Sequence, residues 1–185
     1  QAGADVPVEG TGGGGPGSHH ASRTVQNDTR NEDFKMAGTM DVIIREMTIE
    51  DYGQVYELWT EIKGFGIRTV DDSREGVERF LRRNPTTSVV AVQNGRIIGN
   101  ILCGHDGRPG CFYHVCVANG YRKHGIGYRM VRAAMEALQK EGVSKISLIA
   151  FKENQVGNAF WKGIGWVERG DINSYEFILN EENIT

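Results

Sequence analysis

The stretch Val115-Cys116-Val117-Ala118-Asn119-Gly120-Tyr121-Arg122-Lys123-His124-Gly125-Ile126-Gly127-Tyr128-Arg129-Met130 constrains the fold more than any other. A short apolar run passes through a polar turn with two closely spaced glycines into a helical pattern. A strand that ends in such a turn leaves several backbone N–H groups at the helix N-terminus unpaired and pointing one way. With the positive end of the helix dipole behind them, those donors form an anion site suited to a phosphate. Gly125 and Gly127 let the backbone approach a ligand with no Cβ between, and Arg122, Lys123 and His124 add positive charge to the rim.

The rest of the chain narrows the classes of partner. A net charge of −3 over 185 residues argues against nucleic acid, whose binders carry a basic field. No apolar run approaches the ~20 residues that span a bilayer, and the N-terminus lacks a secretory apolar core. A cytoplasmic protein with no membrane partner is therefore expected. Cys103, Cys111 and Cys116 share no C-x-x-C spacing, which predicts reduced, buried thiols and no metal site.

Residues 1–35 contain four consecutive glycines, Pro7, Pro16 and a single aromatic, so they cannot bury enough apolar surface to offset their ordering entropy. They read as a disordered leader or a tag, with His19-His20 as tag residues and a natural start at Met36 or Met40. The remaining residues, 36–185, read as one domain.

Within it, Val42–Met47 is β-rich, and Thr48 offers a cap for a helix running to about Lys63. Asp72 and Glu75 resemble a capping box for a second helix, Arg74 to Arg83. Ser88–Val92 and Arg96–Cys103 flank Asn94-Gly95, a strong hairpin signal. Cys111–Val117 is the strand that feeds the turn, and Gly125–Glu141 is the helix after it, with Gly142 as its stop. A strand over Ser144–Phe151, a helix over Val156–Lys162 and a strand pair, Trp166–Arg169 with Tyr175–Leu179, complete the chain. The order predicts an α/β fold, a mixed sheet with helices on its faces.

Two phosphate-binding chemistries fail on the residues. Gly120-x-x-x-x-Gly125 is followed by Ile126-Gly127, not by the Lys-Ser/Thr of a P-loop, and a dinucleotide fold wants G-x-G-x-x-G in an early βαβ unit. Arg122-Lys123-His124-Gly125-Ile126-Gly127 instead resembles the R/Q-x-x-G-x-G/A signature of the GNAT superfamily, the acetyl-CoA-dependent N-acetyltransferases. Val117 to Arg122 is similar to the family's V-x-P-x-x-R approach, with Asn119 in place of Pro. Asn154 and the block Ala159 to Trp166 resemble its N…A-x-x-Y-x-x-x-G-F block. The likeness extends over about Val42 to Leu179.

The resemblance implies the GNAT fold, with the sheet splayed open where acetyl-CoA enters as co-substrate. Backbone N–H groups of Arg122, Lys123, His124, Gly125, Ile126, Gly127 and Tyr128 would hold the pyrophosphate. The strand residues Val115, Cys116 and Val117 would meet the pantetheine arm as an added strand does, with the Val117 N–H facing the acetyl carbonyl. Asn154 and Trp161 would line the thioester end. The activity implied is transfer of acetyl to a primary amine by direct attack in a ternary complex. A small molecule is favoured over a peptide as acceptor, and the apolar C-terminal strands could pair two copies in a homodimer.

The proton-transfer residues do not carry over. The position that is a Tyr acid in many relatives is Trp161, and the position of a Glu base in ribosomal-protein N-terminal acetyltransferases matches Ile149. Tyr113 and His114 are the nearest titratable substitutes for catalysis. Alternation places Tyr113 on the face of Val115 and Val117, and His114 on the opposite face. Packing aromatics in a sheet is the competing reading of both, and a non-catalytic acyl-CoA sensor is the alternative function. Asp71 and Asp72 could hold an ammonium group from the loop before the second helix.

Overall fold

The computed structural model describes residues 41–63 and 65–185. The leader expected over residues 1–35 and the start at Met36 or Met40 lie outside the described residues. Five strands form one sheet in sequential order: β1 (Val42–Glu46), β2 (Val89–Gln93), β3 (Arg96–His105), β4 (Gly110–Val117) and β5 (Ile146–Leu148). The first four are antiparallel, and β5 joins β4 in parallel. Helices α1 (Tyr52–Glu61) and α2 (Arg74–Arg83) pack on one face, and α3 (Ile126–Lys140) and α4 (Gln155–Gly163) on the other. This is the expected mixed α/β architecture.

Local chemistry accounts for most of these elements. Asn94 and Gly95 both take positive φ, as a two-residue hairpin turn between β2 and β3 requires. β3 is buried on both faces, Ile98, Ile101 and Cys103 toward α3 and Ile97 and Leu102 toward α1, so its sequence reads as a near-continuous apolar run. α3 sets Ile126, Met130, Val131, Ala134 and Leu138 on the sheet. Each of the larger side chains contributes about 1.5–3 kcal/mol on burial.

Three boundaries differ from the sequence expectation. Thr48 begins a 3₁₀ turn, Ile49–Asp51, before α1. The cap of α2 is Ser73, whose Oγ accepts from the Gly76 N–H at 3.1 Å, not Asp72. β5 is only three residues long, and the expected C-terminal strand pair forms no ladder. Strand propensity needs a partner edge to be realised, and β5 offers a very short one. Tyr175, Phe177 and Leu179 are consequently exposed, while Trp166 turns inward against Trp161 and Phe112.

The turn into α1 rests on one carboxylate. Asp51 is buried, accepts from the Arg45 guanidinium at 2.7 and 2.8 Å, and accepts from the Thr48 N–H at 2.9 Å. The Arg45 hydrogen bond, more than the Thr48 contacts, holds its carboxyl below the usual range. A depressed folded-state carboxyl stabilises the fold above the unfolded value, about 3.9, and that stabilisation is lost as pH falls through the folded value. Asp51→Ala should therefore cost about 1–3 kcal/mol in urea unfolding at pH 7. The gap to the parent protein should narrow in acid; an equal gap at pH 3 and pH 7 contradicts the assignment.

Candidate active site

The site is built where β4 loses its second partner. β5 pairs with β4 only at Gly110, Cys111 and Phe112, so the side of β4 away from β3 is open from Tyr113 to Val117. The register with β3 also slips there: Ile101 faces Val115, but Cys103 faces Phe112. Two residues, Tyr113 and His114, thus stand opposite the single Leu102, which is a β-bulge. The bulge overturns the alternation argument for Tyr113, whereas His114 lies on the expected face, opposite Val115 and Val117. Tyr113 does not share the face of Val115 and Val117; its ring packs edge-on against Phe80 of α2, with centroids 5.5 Å apart. His114 lies on the same side, against Trp59 of α1 and Phe65.

His114 is held by two aromatic rings and a carboxylate. Its ring centroid lies 4.6 Å from that of Trp59 and 4.7 Å from that of Phe65. Its Nε2 is 2.7 Å from Oδ1 of the buried Asp72. A carboxylate only accepts, so Nε2 carries the proton, and in the neutral ring Nδ1 keeps its lone pair. Oδ2 of Asp72 accepts from the Arg68 N–H at 2.7 Å, and Tyr52 donates to the Asp72 carbonyl at 2.9 Å. Trp59 is fixed in turn by Asn100, whose Oδ1 accepts from its indole N–H at 3.2 Å and whose Nδ2 donates to the Val89 carbonyl. Asp72 is therefore buried and engaged within the protein, whereas Asp71 is exposed and accepts from Asn183 Nδ2 at 2.7 Å. Burial raises the Tyr113 phenol, so it stays protonated through neutral pH.

The turn after β4 supplies donors of another kind. Among the described residues, the backbone N–H groups from Arg122 to Tyr128 meet no protein acceptor; the first of the helical ladder is Arg129, bonded to the Gly125 carbonyl at 3.0 Å. Arg122 folds back, its Nε donating to the Val117 carbonyl at 3.1 Å. Lys123 takes φ 64° and Gly125 φ 76°, the second as the N-cap of α3. A Cβ on Gly127 would meet only ordinary contacts, Phe160 at 3.5 Å being the nearest, so the protein itself leaves room there. Burial pushes the Cys116 thiol up to about 12, which leaves that residue its backbone and its packing. A row of backbone donors without a protein acceptor among the described residues, beside an open strand edge, fits a pyrophosphate joined to an extended, amide-bearing arm.

The second motif block is placed differently in detail. Asn154 caps α4, its Oδ1 accepting from the Gly157 N–H at 3.0 Å. Trp161 packs among Phe160, Phe112 and Trp166 on the α3 face. Ile149 is exposed just past the end of β5. Asp72 is the member of the His114 cluster that its local sequence does not reveal: it reads as a helix cap, whereas its partner is 42 positions away.

Comparison with known proteins bears on this geometry. The model of the acetyltransferase (GNAT) family matches residues 52–166. An acetyltransferase of Yersinia pestis (strain Pestoides F) is 26% identical over 136 residues, covering 74% of this chain and 91% of that protein. Among solved structures, the NatC complex bound to Gag peptide and CoA aligns with TM-score 0.61 and 22% identity, over 70% of this chain and 87% of that one. The aminoglycoside acetyltransferase AAC(6')-Iy in complex with a bisubstrate analogue aligns with TM-score 0.59 and 15% identity, over 74% and 98%. Both likenesses are of fold.

The left-handed backbone at Gly125 makes the turn testable without a ligand. Gly125→Ala should lower stability by about 1–2 kcal/mol, although a Cβ there meets nothing within 4 Å. Unchanged urea unfolding would mean that the turn adopts another conformation.

Proposed function

The chain belongs to the GNAT acetyltransferase family, and from that premise we propose that it moves an acetyl group from acetyl-CoA to the primary amine of a small-molecule acceptor, by direct attack in a ternary complex. The observation that carries the donor is the unpartnered N–H row from Arg122 to Tyr128 beside the open edge of β4. Those donors and the α3 dipole would hold the pyrophosphate, with Lys123 and His124 on the rim. Backbone groups of Val115 to Val117 would pair with the pantetheine amides. Bound there, acetyl-CoA supplies a thioester-activated acetyl group.

The acceptor nitrogen must shed a proton as it becomes an amide. His114 is suited to take it at Nδ1, because Asp72 holds the other ring nitrogen protonated and steadies the imidazolium that results. Tyr113, on the same side and protonated, is suited to return a proton to the leaving group. The aminoglycoside enzyme among the fold neighbours supports a small amine as acceptor; the peptide in the NatC structure is the competing class.

Two measurements test the reading. Gly127→Ala should weaken acetyl-CoA binding at least about 10-fold by calorimetry without loss of stability, since the protein offers the added Cβ only ordinary contacts, Phe160 at 3.5 Å being the nearest. Unchanged affinity would sink the phosphate assignment. With an acceptor found by following thiol release across an amine and peptide panel, His114→Gln should lower kcat about 10²–10³-fold at unchanged KM for acetyl-CoA. Full activity in that variant would remove His114 from the chemistry, and binding without turnover on any acceptor would mark a sensing module.

A further inference from the structure

Asp72 reaches His114 from a tight turn, residues 68–72, that is tied to α1 by the Tyr52 hydroxyl on the Asp72 carbonyl and to the start of α2 by Ser73, whose hydroxyl donates to the Val70 carbonyl at 2.7 Å. The turn closes on the Asp72 N–H donating to the Arg68 carbonyl at 3.1 Å, and the Arg68 N–H meets the Asp72 carboxylate inside it. Its outward N–H groups, at Val70 and Asp71, would otherwise face solvent. Both donate to Oδ1 of Asn183, at 3.1 Å each, and Nδ2 of Asn183 donates to Asp71 Oδ2 at 2.7 Å. Thr69 is paired alongside: its N–H donates to the Ile184 carbonyl at 2.9 Å, and its hydroxyl accepts from the Ile184 N–H at 3.0 Å and donates to the Glu182 carbonyl. On the opposite side the turn presses on α2, where a Cβ at Gly76 would lie 2.3 Å from the Asp71 carbonyl oxygen and 2.4 Å from that of Val70. The turn is thus clamped between α2 and residues 182–184.

We propose that Asn183 is a positioning residue for the acetyl-transfer site, latching the 68–72 turn so that Asp72 holds His114 in one tautomer and orientation. This rests on the reading of His114 as proton acceptor. An amide side chain suits the task because it accepts from two backbone donors and donates to a carboxylate at once, which neither Asp nor Ala can do. Among the described residues no hydrogen bond joins 182–184 to His114, so the effect passes through the turn.

The test separates the latch from the chemistry. In the parent protein, the Nε2–H of His114 should give a slowly exchanging imidazole proton resonance that is absent in His114→Gln. Asn183→Ala should lose or broaden that resonance while amide signals of the β2–β3 hairpin stay in place. It should also lower kcat about 10- to 100-fold at unchanged KM for acetyl-CoA. Asn183→Asp keeps the acceptors but sets a carboxylate against Asp71, and it should behave like the alanine variant. Retention of the resonance in either variant overturns the latch. Loss of the resonance with full kcat would leave the latch standing and refute the role of His114.

Discussion

Everything in the site depends on what happens to β4 at Tyr113. The strand loses its parallel neighbour and its even register with β3 at the same residues. Loss of the neighbour exposes a row of backbone donors and acceptors that an interior strand could not offer. The extra residue of the bulge sets Tyr113 beside His114 on the α1/α2 face, where Phe80, Trp59, Phe65 and Asp72 receive them. One irregularity therefore separates the work of the strand. Its open edge leads on to the α3 turn, and Tyr113 and His114 face α1, α2 and the loop before α2.

The two sides are stabilised by different means. The turn into α3 is shaped by backbone conformation, the left-handed Gly125 and the Arg122 guanidinium folded onto Val117, and its N–H groups meet no acceptor among the described residues. The His114 side is shaped by satisfied side chains. Asn100 holds Trp59, Trp59 and Phe65 both pack against the imidazole, and Asp72 fixes its tautomer. A buried carboxylate left without these partners would cost several kcal/mol, so the pair is retained only if the turn carrying Asp72 is held firmly.

Local signals carried the sequence reading a long way. The hairpin at Asn94-Gly95, the glycines of the α3 turn and the 3.6-residue stripe of α3 are all short-range features, and each is found where the sequence places it. The bulge was not legible, because alternation assumes an unbroken ladder and no Gly or Pro marks the slip at Tyr113-His114. Asp72 reads as a cap because a carboxylate beside a helix start usually is one; the adjacent Ser73 fills that role and frees it. The Tyr175–Leu179 alternation misled in the opposite direction, since period-2 patterning states a preference and only a neighbouring edge makes it a strand.

The most direct measurement is a crystal structure of the protein with acetyl-CoA. Expected are pyrophosphate oxygens within about 3.2 Å of the N–H groups between Arg122 and Tyr128, and the pantetheine arm along β4 from Tyr113 to Val117. A coenzyme seated elsewhere, for instance in the ≈ 390 Å³ groove between α3 and residues Ile164 and Trp166, would contradict the assignment of the α3 turn.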